Sequence, residues 1–143
     1  MFFPETITMI YKITLSAALG MIIGAERQIR EKPAGLRTHA LVAIGSTLFT
    51  VLSFVNFFEG SGYSFDPSRI AAQVVVGIGF LGGGLIFLNG ERARGITTAA
   101  GIWVTAAIGM AVGFGAYFVA IYGTGLVFLI LWALRYLEDR MKN

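Results

Sequence analysis

The sequence predicts an all-α integral membrane protein of five transmembrane helices, and three observations carry the prediction. Of 143 residues, 56% are hydrophobic and only 13% charged, about half the charged share of an ordinary soluble domain. The charges leave long gaps, each near the length that crosses a bilayer. The Lys and Arg residues collect in alternate gaps rather than in all of them.

The elements follow in order. Between Glu5 and Glu26 lie twenty residues with one charge, Lys12. Residues 38–58 contain no charged side chain, and neither do residues 70–89. About 20 apolar residues at 1.5 Å each cross a hydrocarbon core of roughly 30 Å. Residues 96–134 also carry no charge, for thirty-nine residues, a run that as one helix would be about 60 Å long. It must fold back, and Gly113-Phe114-Gly115 supplies the turn. The spans therefore lie near 6–25, 38–58, 69–88, 97–113 and 116–135 of a single domain, 1–143.

Orientation comes from the basic residues. Arg27, Arg30, Lys32 and Arg37 occupy the first loop, Arg92 and Arg94 the third, and Arg135, Arg140 and Lys142 the tail. Five alternating spans place these nine of eleven basic residues on one face, which the positive-inside rule makes cytoplasmic. The N-terminus and the 59–68 loop then lie outside. The opening MFFPETITMIYK has no basic n-region and does not read as a cleavable signal peptide.

One motif points elsewhere. Gly77-Ile-Gly79-Phe-Leu-Gly82 has the G-x-G-x-x-G spacing of dinucleotide-binding turns. That fingerprint needs an acidic residue about 20 positions on to hold a ribose. Here those positions read Gly101-Ile-Trp-Val, and Glu91 comes too early. A glycine loop in lipid would also leave backbone groups unsatisfied. The expectation is no nucleotide and no nucleic acid. The glycines read as packing surface instead, because small residues let membrane helices approach closely. Gly79 and Gly83 form a GxxxG pair extended by Ala72. Gly101, Thr105, Gly109 and Gly113 repeat every fourth residue on the fourth span, and Ser16, Gly20 and Gly24 on the first. These ridges predict packing into a homodimer or other homo-oligomer, or against another membrane protein. The fifth span is bulky instead, with Phe118, Tyr122, Phe128, Trp132 and Tyr136, and should face lipid or a partner.

Gly35-Leu-Arg-Thr38-His-Ala40 precedes Gly95-Ile-Thr-Thr98-Ala-Ala100 by sixty residues with three identities in six. The match suggests a parallel repeat of spans 1–2 and 3–4.

Polar residues within or beside spans are the candidate functional groups. Lys12 reads as snorkelling or packing on a neighbour's carbonyls. Gln73 reads equally as an interhelical hydrogen bond or a functional group. Glu26, Arg27, Arg37, Thr38 and His39 gather at the inner edge with Thr97 and Thr98, as caps and headgroup contacts or as a partly buried polar site. Asp66-Pro67-Ser68-Arg69 reads as a turn and helix start, with Asp66 as cap; an outer cation site with Glu59 is the lesser reading. The mid-span regions carry no Asp or Glu, there is no cysteine, and His39 is the only histidine. No catalytic group, enzyme activity or cofactor is expected, and the sequence assigns no metal ligands.

The runs GAERQIREKPAGLRTHALVAIGS (24–46), DPSRIAAQVVVGIGFLGGGLIF (66–87) and RGITTAAGIWVTAAIGMAVGFG (94–115) closely resemble the N-terminal membrane domain of the MgtC/SapB family, over four of the five spans. The resemblance implies a bacterial inner-membrane protein linked to growth under magnesium limitation and, in pathogens, to survival inside host cells. It implies either magnesium transport or the modulation of other membrane proteins, among them the proton-conducting part of ATP synthase. Motif positions carried over are Glu26, Arg27, Gly35, Arg37, Thr38, Asp66, Arg69, Gln73, Gly79, Thr97 and Thr98. Longer members carry a cytosolic domain after the last span. This sequence ends seven residues past Tyr136, so no role of that domain carries over. A modulator without enzymatic activity is the leading expectation, and a Mg²⁺ or other ion conduit its rival.

Overall fold

The computed structural model describes residues 3–54, 66–89 and 92–141. Five helices run in the predicted order: α1 Phe3–Ile29, α2 Leu36–Leu52, α3 Ser68–Gly84, α4 Ile96–Gly113 and α5 Tyr117–Met141. Three apolar segments are long enough to cross a membrane, Thr6–Ile29, Ile96–Gly113 and Tyr117–Leu137; α2 and α3 are apolar helices of 17 residues. The predicted extension of the second span to 58, Glu59 and most of the 59–68 loop fall outside the described residues, as do Glu91 and Lys142.

Helices α1 and α5 run past their predicted ends, to Ile29 and Met141, and α3 departs further. The third helix stops at Gly84, four residues before the predicted end, and the chain turns into a two-stranded antiparallel hairpin, β1 Phe87–Asn89 with β2 Arg92–Arg94. Asn89 pairs with Arg92 across a two-residue connection. The connecting pair is Gly90-Glu91, and glycine at the first connecting position is a local hairpin signal that an apolar-run count overlooks. Gly95 then enters α4 at φ +89, where a Cβ would run into the Leu85 carbonyl oxygen. Only glycine fits that junction.

Helix ends are defined by backbone chemistry. At the end of α1, Lys32 N–H donates to Arg27 O and Glu31 N–H to Gln28 O, with Glu31 at φ 53. The same pair of bonds closes α4, from Ala116 to Ala111 and from Gly115 to Val112, with Gly115 at φ +83. Both are Schellman closures, which satisfy the last carbonyls and reverse the chain. The second is the turn predicted from the Gly113-Phe114-Gly115 run.

Helix α4 lies at the centre and packs on all four others. Contacts fix the directions: Gly24 meets Leu36, Thr105 meets His39, and Gly82 meets Ala99. Hence α1 and α3 run one way and α2 and α4 the other. Ile23, Leu19, Ile108, Val112 and Ala120 form one core between α1, α4 and α5. Val42, Val74, Ile78, Ile102 and Ala106 form a second between α2, α3 and α4.

Candidate functional site

Alternating helices bring residues distant in sequence to the end of the bundle that holds the 30–35 loop and the β-hairpin. Glu26 and Arg27, in the last turn of α1, are each 5% exposed. Arg27 Nη1 lies 3.5 Å from Glu26 Oε2, and its Nη2 donates to Thr98 Oγ1 at 3.1 Å, in the first turn of α4. Arg30 Nε stands 3.5 Å from Glu26 Oε1 on the wetter side. Glu26 Oε1 and Arg27 Nε have no hydrogen-bond partner. The arrangement clamps the end of α1 to the start of α4 through a buried charge pair whose hydrogen-bonding capacity is partly unused.

Deeper in the bundle, His39 is completely buried and its Nδ1 lies 2.8 Å from Thr105 Oγ1. The Thr105 hydroxyl donates its single proton to Gly101 O at 2.8 Å. Thr105 Oγ1 must therefore accept from His39, which assigns the tautomer protonated at Nδ1. Thr47 Oγ1 donates to Gly109 O at 2.7 Å, one to two turns further along α4. At the opposite end, Lys12 Nζ donates to Gly113 O at 2.8 Å. An ammonium on a terminal carbonyl satisfies the helix end and its partial negative charge together.

The packing glycines divide into two groups. A Cβ built on Gly20 would lie 2.6 Å from His39 O, one on Gly24 2.7 Å from Leu36 Cα, and one on Gly113 2.5 Å from Thr50 Cβ. On Gly109 it would strike the Ala43 carbonyl. A Cβ on Gly101 would make only ordinary contact with the His39 ring. Around Gly79 and Gly83 there is nothing within 4 Å. The first group lets α1 and α4 press on α2; the second lies on open surface.

Of the remaining sequence candidates, Arg37 and Thr97 are exposed and Thr38 is half-buried, so only Glu26, Arg27 and Thr98 converge. Asp66 Oδ1 accepts the Ser68 backbone N–H at 2.9 Å, at the start of α3. Hydrogen bonds from Ser68, through its side chain and backbone, hold the Asp66 carboxyl below the usual carboxylate range. Arg69 and Gln73 are exposed, and both line a cavity of about 720 Å³ between α2 and α3. Leu41, Gly45 and Phe49 form one wall, Gln73, Gly77 and Leu81 the other. Sequence reasoning missed this groove and the Thr105, Thr47 and Ser46 hydroxyls. A mid-span hydroxyl is the signal that could have marked them. Among the described residues, no three His, Asp or Glu side chains gather where they could hold a metal ion.

A profile of the MgtC family matches residues 13–140, nearly the whole bundle. The chain belongs to the MgtC family. Within it, the chain is 46% identical over 141 residues to YhiD of Escherichia coli K12, whose name proposes magnesium transport; the match covers 96% of this chain and 66% of YhiD. It is 43% identical over 135 residues to protein MgtC of Salmonella typhimurium, covering 93% of this chain and 56% of that one. The chain thus spans between about half and two-thirds of the length of these relatives. No solved structure matches it.

Proposed function

We propose that this MgtC-family chain is a multi-pass protein of the bacterial inner membrane. It serves growth at low magnesium by binding other membrane proteins, without catalysing a reaction. Its N-terminus lies outside and its C-terminus in the cytoplasm. The supporting feature is that the 26–37 loop, the β-hairpin with Arg92 and Arg94, and the end of α5 with Arg135 and Arg140 belong to one end of the alternating bundle. Hairpins α1–α2 and α3–α4 are two copies of one unit, a reading supported by the antiparallel course of each pair, with the end of one helix beside the start of the next.

The observation that carries the binding role is α5. Only 11% of its apolar span is buried within the chain, and Phe118, Tyr122, Trp132 and Tyr136 are all exposed along it. The centre of the bundle, by contrast, is filled by Ile23, His39, Thr47, Thr50, Ile102, Thr105 and Val112. The mid-bundle hydroxyls of Thr47, Thr50 and Thr105 are spent on neighbouring carbonyls, and bulky aromatic surface is left for a partner. That partner is a second copy of the chain or another membrane protein such as the proton-conducting part of ATP synthase.

The test is Mg²⁺ entry into sealed proteoliposomes that contain only this protein, read with an internal magnesium-sensitive dye. The expected trace matches empty vesicles. Entry above that level, abolished by Gln73→Leu with the fold intact, would establish the conduit instead and sink the binding role.

A further inference from the structure

We infer that the groove between α2 and α3 is a binding site for a membrane phospholipid, whose phosphate rests on Arg69 and whose acyl chain lies along Gly45 and Gly77.

Three observations converge. The first is shape. Gly45 and Gly77 sit midway along the facing walls, and the Cβ position of each meets nothing within 4 Å. The two helices share the core of Val42, Val74 and Ile78, and beside Gly45 and Gly77 they leave a continuous space.

The second is the order of polarity along that space. Helices α2 and α3 run antiparallel, so Arg69 at the start of α3 stands near the end of α2. With a rise of 1.5 Å per residue, Gln73 lies about 6 Å below Arg69 and Leu81 about 18 Å below it. Ser46 lies within about one turn of Gln73 in depth by the same rise. Below them the lining is apolar, from Val42, Gly77 and Ile78 to Leu41 and Leu81. A cation, then hydrogen-bonding groups, then hydrocarbon is the sequence of a phospholipid read from phosphate to ester to chain. Arg matches a phosphate through two parallel N–H donors.

The third is an unused donor. Ser46 is 3% exposed, and its hydroxyl has no hydrogen-bond partner. Its neighbours do not behave this way: Thr50 donates to Ser46 O and Ser53 to Thr50 O along the same helix. A buried hydroxyl without a partner is costly in an apolar setting. Turned toward the groove, the hydroxyl would donate to an ester carbonyl at that depth, and the Gln73 amide would donate to a second one.

The test is native mass spectrometry of the full chain in mild detergent. It would be supplied in turn with phosphatidylethanolamine, phosphatidylglycerol, and a diacylglycerol of the same chains that lacks the phosphate. One phospholipid of either class should remain bound per chain, and diacylglycerol should not. Arg69→Ala should lower retention about tenfold, the loss of a charge-assisted contact. Gly77→Leu should abolish retention while leaving the circular dichroism and melting curve unchanged, since nothing stands within 4 Å of its Cβ and the rest of the side chain enters the groove. Retention indifferent to both variants, or equal for diacylglycerol, would overturn the assignment. So would a doubled mass removed by Gly77→Leu, because the groove would then hold a second copy of the chain.

Discussion

Glycines on α4 and glycines on α3 belong to one residue type in one kind of helix, yet they face opposite surroundings. Gly109 and Gly113 are pressed on α2, where any Cβ would meet Ala43 or Thr50. Gly77, Gly79 and Gly83 have nothing within 4 Å. The α4 ridge is an internal seam, reinforced by Thr47 donating to Gly109 O and by His39 bonded to Thr105. On α3, Ala71, Val74, Ile78 and Gly82 make the buried face, and the other glycines lie away from it. A small residue every fourth position therefore marks where a close approach is permitted. It does not say whether the approaching surface belongs to the same chain.

The largest effect should come from forcing a side chain into the seam. Gly109→Leu leaves no room against the Ala43 backbone, and backbone cannot rotate aside as a side chain can. The expected cost is more than about 3 kcal/mol, enough to remove most folded protein. Chemical denaturation in detergent would measure it, and a variant as stable as the parent would dissolve the contrast between the two helices. Next comes Glu26→Ala, which strands Arg27 as a buried cation at the α1–α4 junction. Breaking such a pair from one side costs about 3 kcal/mol. The same denaturation series reads it, and Glu26→Ala with Arg27→Met should recover part of the loss.

The contrast also explains what the sequence could and could not reveal. The five helices were legible because charge-free runs of about twenty residues have few other uses, and the Gly113–Gly115 turn because thirty-nine uncharged residues are too long for one of them. The α1 and α4 ridges were visible as spacing. Their neighbours were not, because Arg27 meets Thr98 across 71 residues and His39 meets Thr105 across 66, separations that only the helix arrangement closes. Thr105 looked like one more small residue on a ridge, whereas it is the acceptor that sets the His39 tautomer. The β-hairpin escaped because Phe87-Leu88 continues the apolar run of α3, and hydropathy does not register a glycine, Gly90, at the first position of a two-residue connection. Of the polar candidates at the inner edge, burial separates Glu26, Arg27 and Thr98 from Arg37 and Thr97. Exposure of that kind depends on which loop overlies which helix end, and no local pattern carries it.

A smaller effect probes the seam without overfilling it. Thr105→Val keeps the volume of the side chain and removes the oxygen that accepts from His39 Nδ1. A buried N–H is left unpaired, at a cost of about 1–2 kcal/mol. The melting temperature in detergent should fall accordingly. Thr105→Ser, which keeps the hydroxyl, should restore most of the loss. Equal losses in both variants would mean that the methyl group matters and the hydrogen bond does not.

The smallest effect on the fold should come from Gly79→Leu, the same substitution as in the seam moved to the open face of α3. Nothing stands within 4 Å of the new Cβ, and leucine is a better helix former than glycine. Stability in detergent should change by no more than about 0.5 kcal/mol. Association is the separate readout. If α3 offers its glycines to a partner helix, the added side chain holds the two backbones apart, and crosslinked complexes in the native membrane should diminish together with growth at low magnesium. Gly83→Leu, one helical turn along the same ridge, should do likewise. Unchanged association and growth in both variants would remove this face from the binding surface and leave α5 to provide it. A large loss of stability instead would show that α3 has a neighbour within the folded chain at these positions, and the distinction between the two groups of glycines would fail.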